Sequence, residues 1–252
     1  MLKIITSTNA TYELPEEWAL SDAGSVTFRN KLEDKAYSHG SSVVGDGKIS
    51  GRTITVEFDM QEATEEEHDT AVNQAYQYFA QTDYKLQVGR TDRVYRVAGL
   101  SKIKHKYQKG FKQRWSNITV SLLLADPFRY ASSRTTITKV YAEAQTATEI
   151  TFTNPSSVDV PLTFTFTPTA AMAAITVSHD ESGQAFTMSD TLLSTPAVSV
   201  INAEAGTVRR DAGNSINTFR GTFLHALPGM NTFKYTGDAG TVTIAYTARW
   251  FV

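Results

Sequence analysis

Imidazoles, carboxylates and glycine-rich turns are the groups in this sequence best suited to catalytic or metal chemistry. Five histidines occur, His39, His68, His105, His179 and His225. None has a second histidine or a cysteine at ligand spacing. Glu67-His68 lacks the partner a zinc-binding helix needs three residues on, where Ala71 stands. The stretch VVGDGKISGR holds Gly45, Gly47 and Gly51, but Ser50 occupies the position a dinucleotide fingerprint reserves for glycine, and a strand pattern follows where a helix is required. A calcium loop starting at Asp46 fails at Lys48. Asp46-Gly47 reads instead as a turn opening the strand that begins at residue 52. There is no G-x-S-x-G elbow and no P-loop, and nothing selects one pair of carboxylates for acid–base work. The sequence therefore predicts no catalytic residue, no cofactor-binding residue, no metal ligand and no cofactor.

One charge pattern stands out. Between Arg90 and Arg114 there are nine basic residues (Arg90, Arg93, Arg96, Lys102, Lys104, Lys106, Lys109, Lys112 and Arg114) against the single acid Asp92. SKIKHKYQKGFKQRW has the form of a hairpin turning at Lys109-Gly110. Lys102, Lys104 and Lys106 would share one face, with Ile103, His105 and Tyr107 on the other. Conversely, Glu57 to Asp69 carries seven acids and no base. Three readings are open for the hairpin 102–114: solvated faces, a nucleic-acid groove with Tyr107 and Trp115 as stacking platforms, or a basic strip that meets the acidic segment of a neighbouring copy. Unlike patches on one chain make heterologous contacts, which can close into rings.

The elements that would position these groups are mostly strands. RTITVEF places Ile54, Val56 and Phe58 on one face, and NITVSLLLAD does the same with Ile118, Val120, Leu122 and Leu124. Between them Thr64, with Glu67 three residues on, gives a capping box, and His68, Val72, Ala75 and Phe79 fall at helical spacing, predicting one helix over about 64–81. Farther on, PLTFTFTP sets Leu162, Phe164 and Phe166 against threonines, and GTVTIAYT sets Val242, Ile244 and Tyr246 against Thr243, Ala245 and Thr247. Pro228-Gly229 and Gly237–Gly240 punctuate turns. Phe233 and Tyr235 read as core with that last group, and Trp250 and Phe251 fall beyond the last clear strand.

Composition divides the 252 residues. Residues 1–130 hold 17 basic and 17 acidic side chains and 11 threonines, whereas residues 131–252 hold 7, 9 and 23. Such a step predicts two domains, 1–130 and 131–252, with the seam after LLLADPFRY, where Asp126 precedes Pro127. The second domain, strand throughout, predicts a sandwich. A formal net charge of −2 gives no pointer to nucleic acid or membrane. Zero cysteines exclude disulfides and thiolate chemistry and suit folding in a reducing cytosol. The N-terminal apolar stretch is too short for a signal peptide, and no run approaches a membrane span.

The order of these pieces resembles a known family. GDGKISGRTITVEFDM, the acid-rich helix, and YKLQVGRTDRVYRVAGLSKIKHKYQKGFKQRWSNITVSLLLADPFRY resemble the N-terminal domain of distal tail proteins (Dit family) of long-tailed, non-contractile bacteriophages. FTNPSSVDVPLTFTFTPT, NAEAGTVRRDAGNSI and LHALPGMNTFKYTGDAGTVTIAYTARW resemble the galectin-like C-terminal domain of the same proteins. The resemblance implies a mainly β fold, with an N-terminal, tail-tube-like β-sandwich carrying one α-helix and a C-terminal galectin-like β-sandwich. It implies a structural virion protein rather than an enzyme: a homo-hexameric ring at the tail tip, assembled in the host cytoplasm. Its partners would be the tail-tube protein, the tail-tip hub protein, the tape-measure protein and DNA passing through the channel without sequence-specific contact, and receptor-binding proteins outside. No membrane insertion is implied. The second domain leaves no room for the inserted carbohydrate-binding module of some relatives. Two other classes remain as alternatives: a carbohydrate-binding β-sandwich protein outside any virion, and a β-sandwich glycosidase, which would need two facing carboxylates.

Overall fold

The computed structural model describes residues 2–251. Contacts divide the described residues into two units, residues 2–132 with Phe251, and residues 133–250.

In the first unit, β1 (Leu2–Ile5), β2 (Thr11–Glu13) and β3 (Ala19–Asp22) precede β4 (Phe28–Asp34), β5 (Ser41–Ile49) and β6 (Arg52–Gln61). Then come α1 (Glu65–Phe79), β7 (Tyr84–Val88), β8 (Arg93–Val97), β9 (Gly99–Tyr107), β10 (Trp115–Leu124) and β11 (Arg129–Ala131). Antiparallel pairing gives one sheet running β2-β1-β7-β8-β11 and a second in the order β3-β6-β10-β9. The second is built on the alternation read in the sequence: β6 buries Ile54, Val56 and Phe58, and β10 buries Ile118, Val120, Leu122 and Leu124. Both sheets and the helix share one core.

The helix starts where its cap chemistry says it should. The Glu67 N–H donates to Thr64 Oγ1 at 3.2 Å, and the Thr64 N–H returns a bond to Glu67 Oε2 at 3.1 Å. This reciprocal box satisfies donors that a helix N-terminus otherwise leaves open. Three acids, Glu65, Glu66 and Glu67, sit in the first turn, where the helix dipole favours negative charge. His68, Val72, Ala75 and Phe79 form the buried stripe. Phe79 lies near Trp18 and Phe58, whose rings stack at 3.7 Å between centroids. Burying a side chain such as Phe79 contributes about 1.5–3 kcal/mol.

β4 and β5 form a separate two-stranded arm. Here one expectation is corrected: Asp46-Gly47 does not open the strand at 52 but lies inside β5, where the register with β4 shifts between Phe28 and Asn30. Gly45 has φ +150°, and a Cβ there would stand 2.1 Å from Arg29 O. The Lys48 N–H donates to Asp46 Oδ1, and the Gly47 N–H to Asn30 Oδ1, so local side chains hold the irregularity. The break before β6 falls at Ser50-Gly51.

The second unit contains β12 (Thr135–Tyr141), β13 (Gln145–Asn154), β14 (Val160–Pro161), β15 (Thr163–Pro168), β16 (Ala174–His179), β17 (Gln184–Ser189), β18 (Ser199–Asn202) and β19 (Thr207–Arg210). It continues with β20 (Gly213–Asn214), β21 (Phe219–Gly221), β22 (His225–Ala226), β23 (Gly229–Gly237), β24 (Gly240–Tyr246) and a short strand at Arg249–Trp250. Two antiparallel sheets, β12-β24-β15-β18-β19-β20 and β13-β23-β16-β17-β21, make a sandwich. Aromatic side chains lock the layers: Phe164 meets Phe233 and Phe186 edge-on, and Phe166 lies against Tyr235. Phe233, Tyr235, Val242, Ile244 and Tyr246 are all core. Trp250 belongs to the second unit, where its indole N–H donates to Pro155 O at 2.9 Å. Phe251 belongs to the first, with its ring 6.0 Å from Phe128 and its carbonyl accepting from Arg52.

Candidate assembly surfaces

The run of nine basic residues does not make one strip. Its members divide between the two sheets of the first unit. Arg90 is clamped by both oxygens of Asp92, at 2.9 and 2.7 Å, beside β8. Arg93 and Arg96 lie on β8, and the Arg96 guanidinium sits 3.7 Å from the centre of the Tyr130 ring. Lys102, Lys104 and Lys106 are exposed on β9 of the other sheet. Lys109 and Lys112 occupy the loop after it, and Arg114 donates to Ala63 O at 2.8 Å, tying that loop to the start of the helix.

The lysines on β9 share a sheet face with part of the acidic segment. Through β10, Lys106 is in register with Asn117 and Asp59, and Lys104 with Thr119 and Glu57. Each row spans two strand spacings, about 10 Å. Glu57 in turn pairs with Ala19 of β3. The outer face is thus basic along β9, at one edge of the sheet order, and acidic next to β3, at the other. The remaining acids, Glu62 and Glu65 to Asp69, lie at the end of β6 and on the first turns of α1.

Behind the lysines, the side chains of β9 that face inward meet the helix. His68 is buried and hydrogen-bonds through Nε2 to Ser116 Oγ at 2.9 Å. Its ring lies 5.8 Å from that of His105 and 5.7 Å from that of Tyr107. His68 Nδ1 and His105 Nε2 are buried without a hydrogen-bond partner. Burial holds His105 below its ordinary pKa; the charge on His68 acts in the same direction and Asp69 opposes it. The Asp69 carboxylate stands 3.9 Å from His68 Nδ1, beyond hydrogen-bond range. His179 and His225 are held by polar neighbours in the second unit, His179 by Ser182 and Asn231, His225 by Asp159. Among the described residues, no group of three or more histidine or acidic side chains is placed to hold a metal, and no helix is long and apolar enough to cross a membrane.

The arm β4–β5 is the feature that sequence reading missed. Every residue of both strands is exposed except half-buried Ile49. Leu32 is 71% exposed and sits directly opposite Val43, 69% exposed, while Phe28 and Val44 are also open. An isolated two-stranded hairpin is at best marginally stable in water. Leu32 and Val43 bury little within the chain.

Residues 155–250 match the siphovirus-type tail component family, C-terminal domain. The match lies within the second unit. The solved structure of SPP1 Dit (gp 19.1), described as a paradigm of hub adsorption apparatus in phages infecting Gram-positive bacteria, superposes on the chain with a TM-score of 0.73. The alignment covers 99% of each chain at 12% identity, so that likeness is one of fold. Among curated protein sequences none matches. Residues 155–250 thus resemble a siphovirus-type tail component, and the chain as a whole shares the fold of SPP1 Dit.

Proposed function

We propose that this Dit-like component is a distal tail protein whose copies form a hexameric ring, joining the tail tube to the tail tip and serving as a hub for host-adhesion proteins. The first unit makes the ring, around a channel for DNA and the tape-measure protein. The second unit faces outward. The ring assembles in the host cytoplasm and resides at the virion tail tip.

The observation that carries this reading is the β4–β5 arm. A hairpin with Leu32, Val43, Phe28 and Val44 in water is stabilised only when another surface covers it. The opposed charges along β9 and beside β3 supply unlike edges, as a head-to-tail contact requires. The hub adsorption apparatus named for SPP1 Dit supports the hub reading. A strongly basic lumen would retard DNA, so the lysines of β9 are assigned to the contact between copies.

The experiment is negative-stain microscopy of the purified chain alone and mixed with the tail-tube protein. Rings with six-fold class averages that cap tube ends are expected. Particles of another symmetry, or no association with tubes, would refute the assignment.

A further inference from the structure

The second unit contains a polar groove on the flank where β20 closes one sheet and β21 the other. Two clefts, of about 420 and 230 Å³, meet at Asn214, which lines both. Ser189 and Asp190 contribute from the end of β17, Arg210 from the end of β19, and Ser215, Asn217 and Thr218 from the segment leading into β21.

The groove is built around a fixed charge pair. Asp190 is buried, and both its oxygens accept from Arg210 Nη1, at 2.5 and 2.6 Å. Its Oδ1 also accepts the Leu192 N–H at 3.1 Å. This leaves the Nε and Nη2 donors of Arg210 with no protein partner among the described residues. Asn214 accepts the Ile216 N–H through Oδ1, and its amide NH2 is likewise uncommitted. Ser215, 4% exposed, lines the same cleft with a buried hydroxyl that bonds to nothing. A site that fixes its central donor with a second buried side chain, and then leaves donors and acceptors open, is pre-organised for a polar ligand.

The chemistry narrows the ligand. Asp190 neutralises Arg210, so a simple anion would gain little there and would meet a carboxylate. The open groups are amides and hydroxyls, which suit a partner whose own groups both donate and accept. Leu192, 67% exposed, and Ile216, 40% exposed, offer apolar surface at the rim of the two clefts. Hydroxyls arrayed beside C–H faces are the surface of a sugar ring. We propose that this groove of the sandwich binds a saccharide, long enough to engage both clefts across Asn214.

The test uses the full chain. It is screened on an array of neutral and acidic saccharides that includes bacterial cell-wall fragments, and each saccharide that scores is measured by saturation-transfer NMR and calorimetry. Exposed Asn214→Ala and Asn217→Ala are expected to weaken binding about three- to tenfold each, as the loss of one hydrogen bond does. Arg210→Lys, which removes the planar fork, is expected to weaken it further. Lys139→Ala on β12 is the control and leaves affinity unchanged. If Arg210→Lys does not fold, the two asparagine variants decide alone. No saccharide bound at millimolar concentration, or a bound saccharide indifferent to Asn214→Ala and Asn217→Ala, overturns the proposal.

Discussion

Lys104 and Glu57 stand in one row on the outer face of the four-stranded sheet, with Thr119 between them. They are too far apart for an ion pair within the sheet, and they lie toward opposite edges of it. Each is therefore free to meet an opposite charge from a neighbour. Replacing Lys102, Lys104 and Lys106 by glutamate is expected to leave the fold intact and to shift the chain from rings to monomers, read by light scattering. Pairing that variant with Glu57→Lys/Asp59→Lys should restore mixed assembly. Raising the salt should weaken wild-type assembly, because exposed charges are screened beyond about 10 Å at 0.1 M. Rings that form unchanged after the lysine reversal exclude this contact.

Leu32 and Val43 give a second, independent handle. Both are exposed in the single chain, so changing them costs the monomer little, within about 0.5 kcal/mol for an ordinary surface site. Leu32→Asp/Val43→Asp is expected to keep the thermal transition of the monomer and to abolish ring formation. A large loss of monomer stability would show instead that the arm packs within its own chain.

His105 predicts a pH dependence. His105 faces His68 and Tyr76 on α1 and Tyr107 on its own strand, and Asp69 is the acidic group that raises its pKa. Burial holds its folded pKa below 6.5, the ordinary imidazole value. The unfolded chain then binds more protons below that value, and the contribution to stability, complete above it, is lost as pH falls through it. Urea unfolding above and below pH 6.5 should show the loss, and His105→Phe should flatten it. An equally steep profile in the variant would place its origin elsewhere.

How much of this was legible in the sequence depended on burial. Ile54, Val56 and Phe58 alternate because β6 has one face in a core, and the same holds for Phe164 and Phe166 on β15. Thr64 and Glu67 announce the helix because both halves of the capping box lie within four residues. The arm left no such trace. No residue from 28 to 48 is buried in the single chain, so no period is imposed, and Asp46-Gly47 has the look of a turn although it is an irregularity inside β5. The Lys104–Thr119–Glu57 row depends on the register of three strands, and the Asp190–Arg210 pair joins residues 20 apart. Neither is encoded in local spacing. Nor does the sequence reveal that Arg93 and Arg96 lie on a different sheet from Lys102 to Lys106.

The helix offers a graded test of its packing. Thr64→Ala removes one side of the box and is expected to cost about 1 kcal/mol. Phe79→Ala opens the aromatic cluster with Trp18 and Phe58 and is expected to cost about 3–5 kcal/mol. Denaturant midpoints at equal slope measure both. The reverse order would mean that α1 is held by its end and not by its buried face.

Mass photometry of the purified chain across a concentration series, with negative-stain class averages of the same samples, tests the central claim most directly. The account predicts a discrete species of six copies with a central channel, growing at the expense of monomer as concentration rises. A chain that stays monomeric throughout, and also when mixed with tail-tube protein, contradicts it.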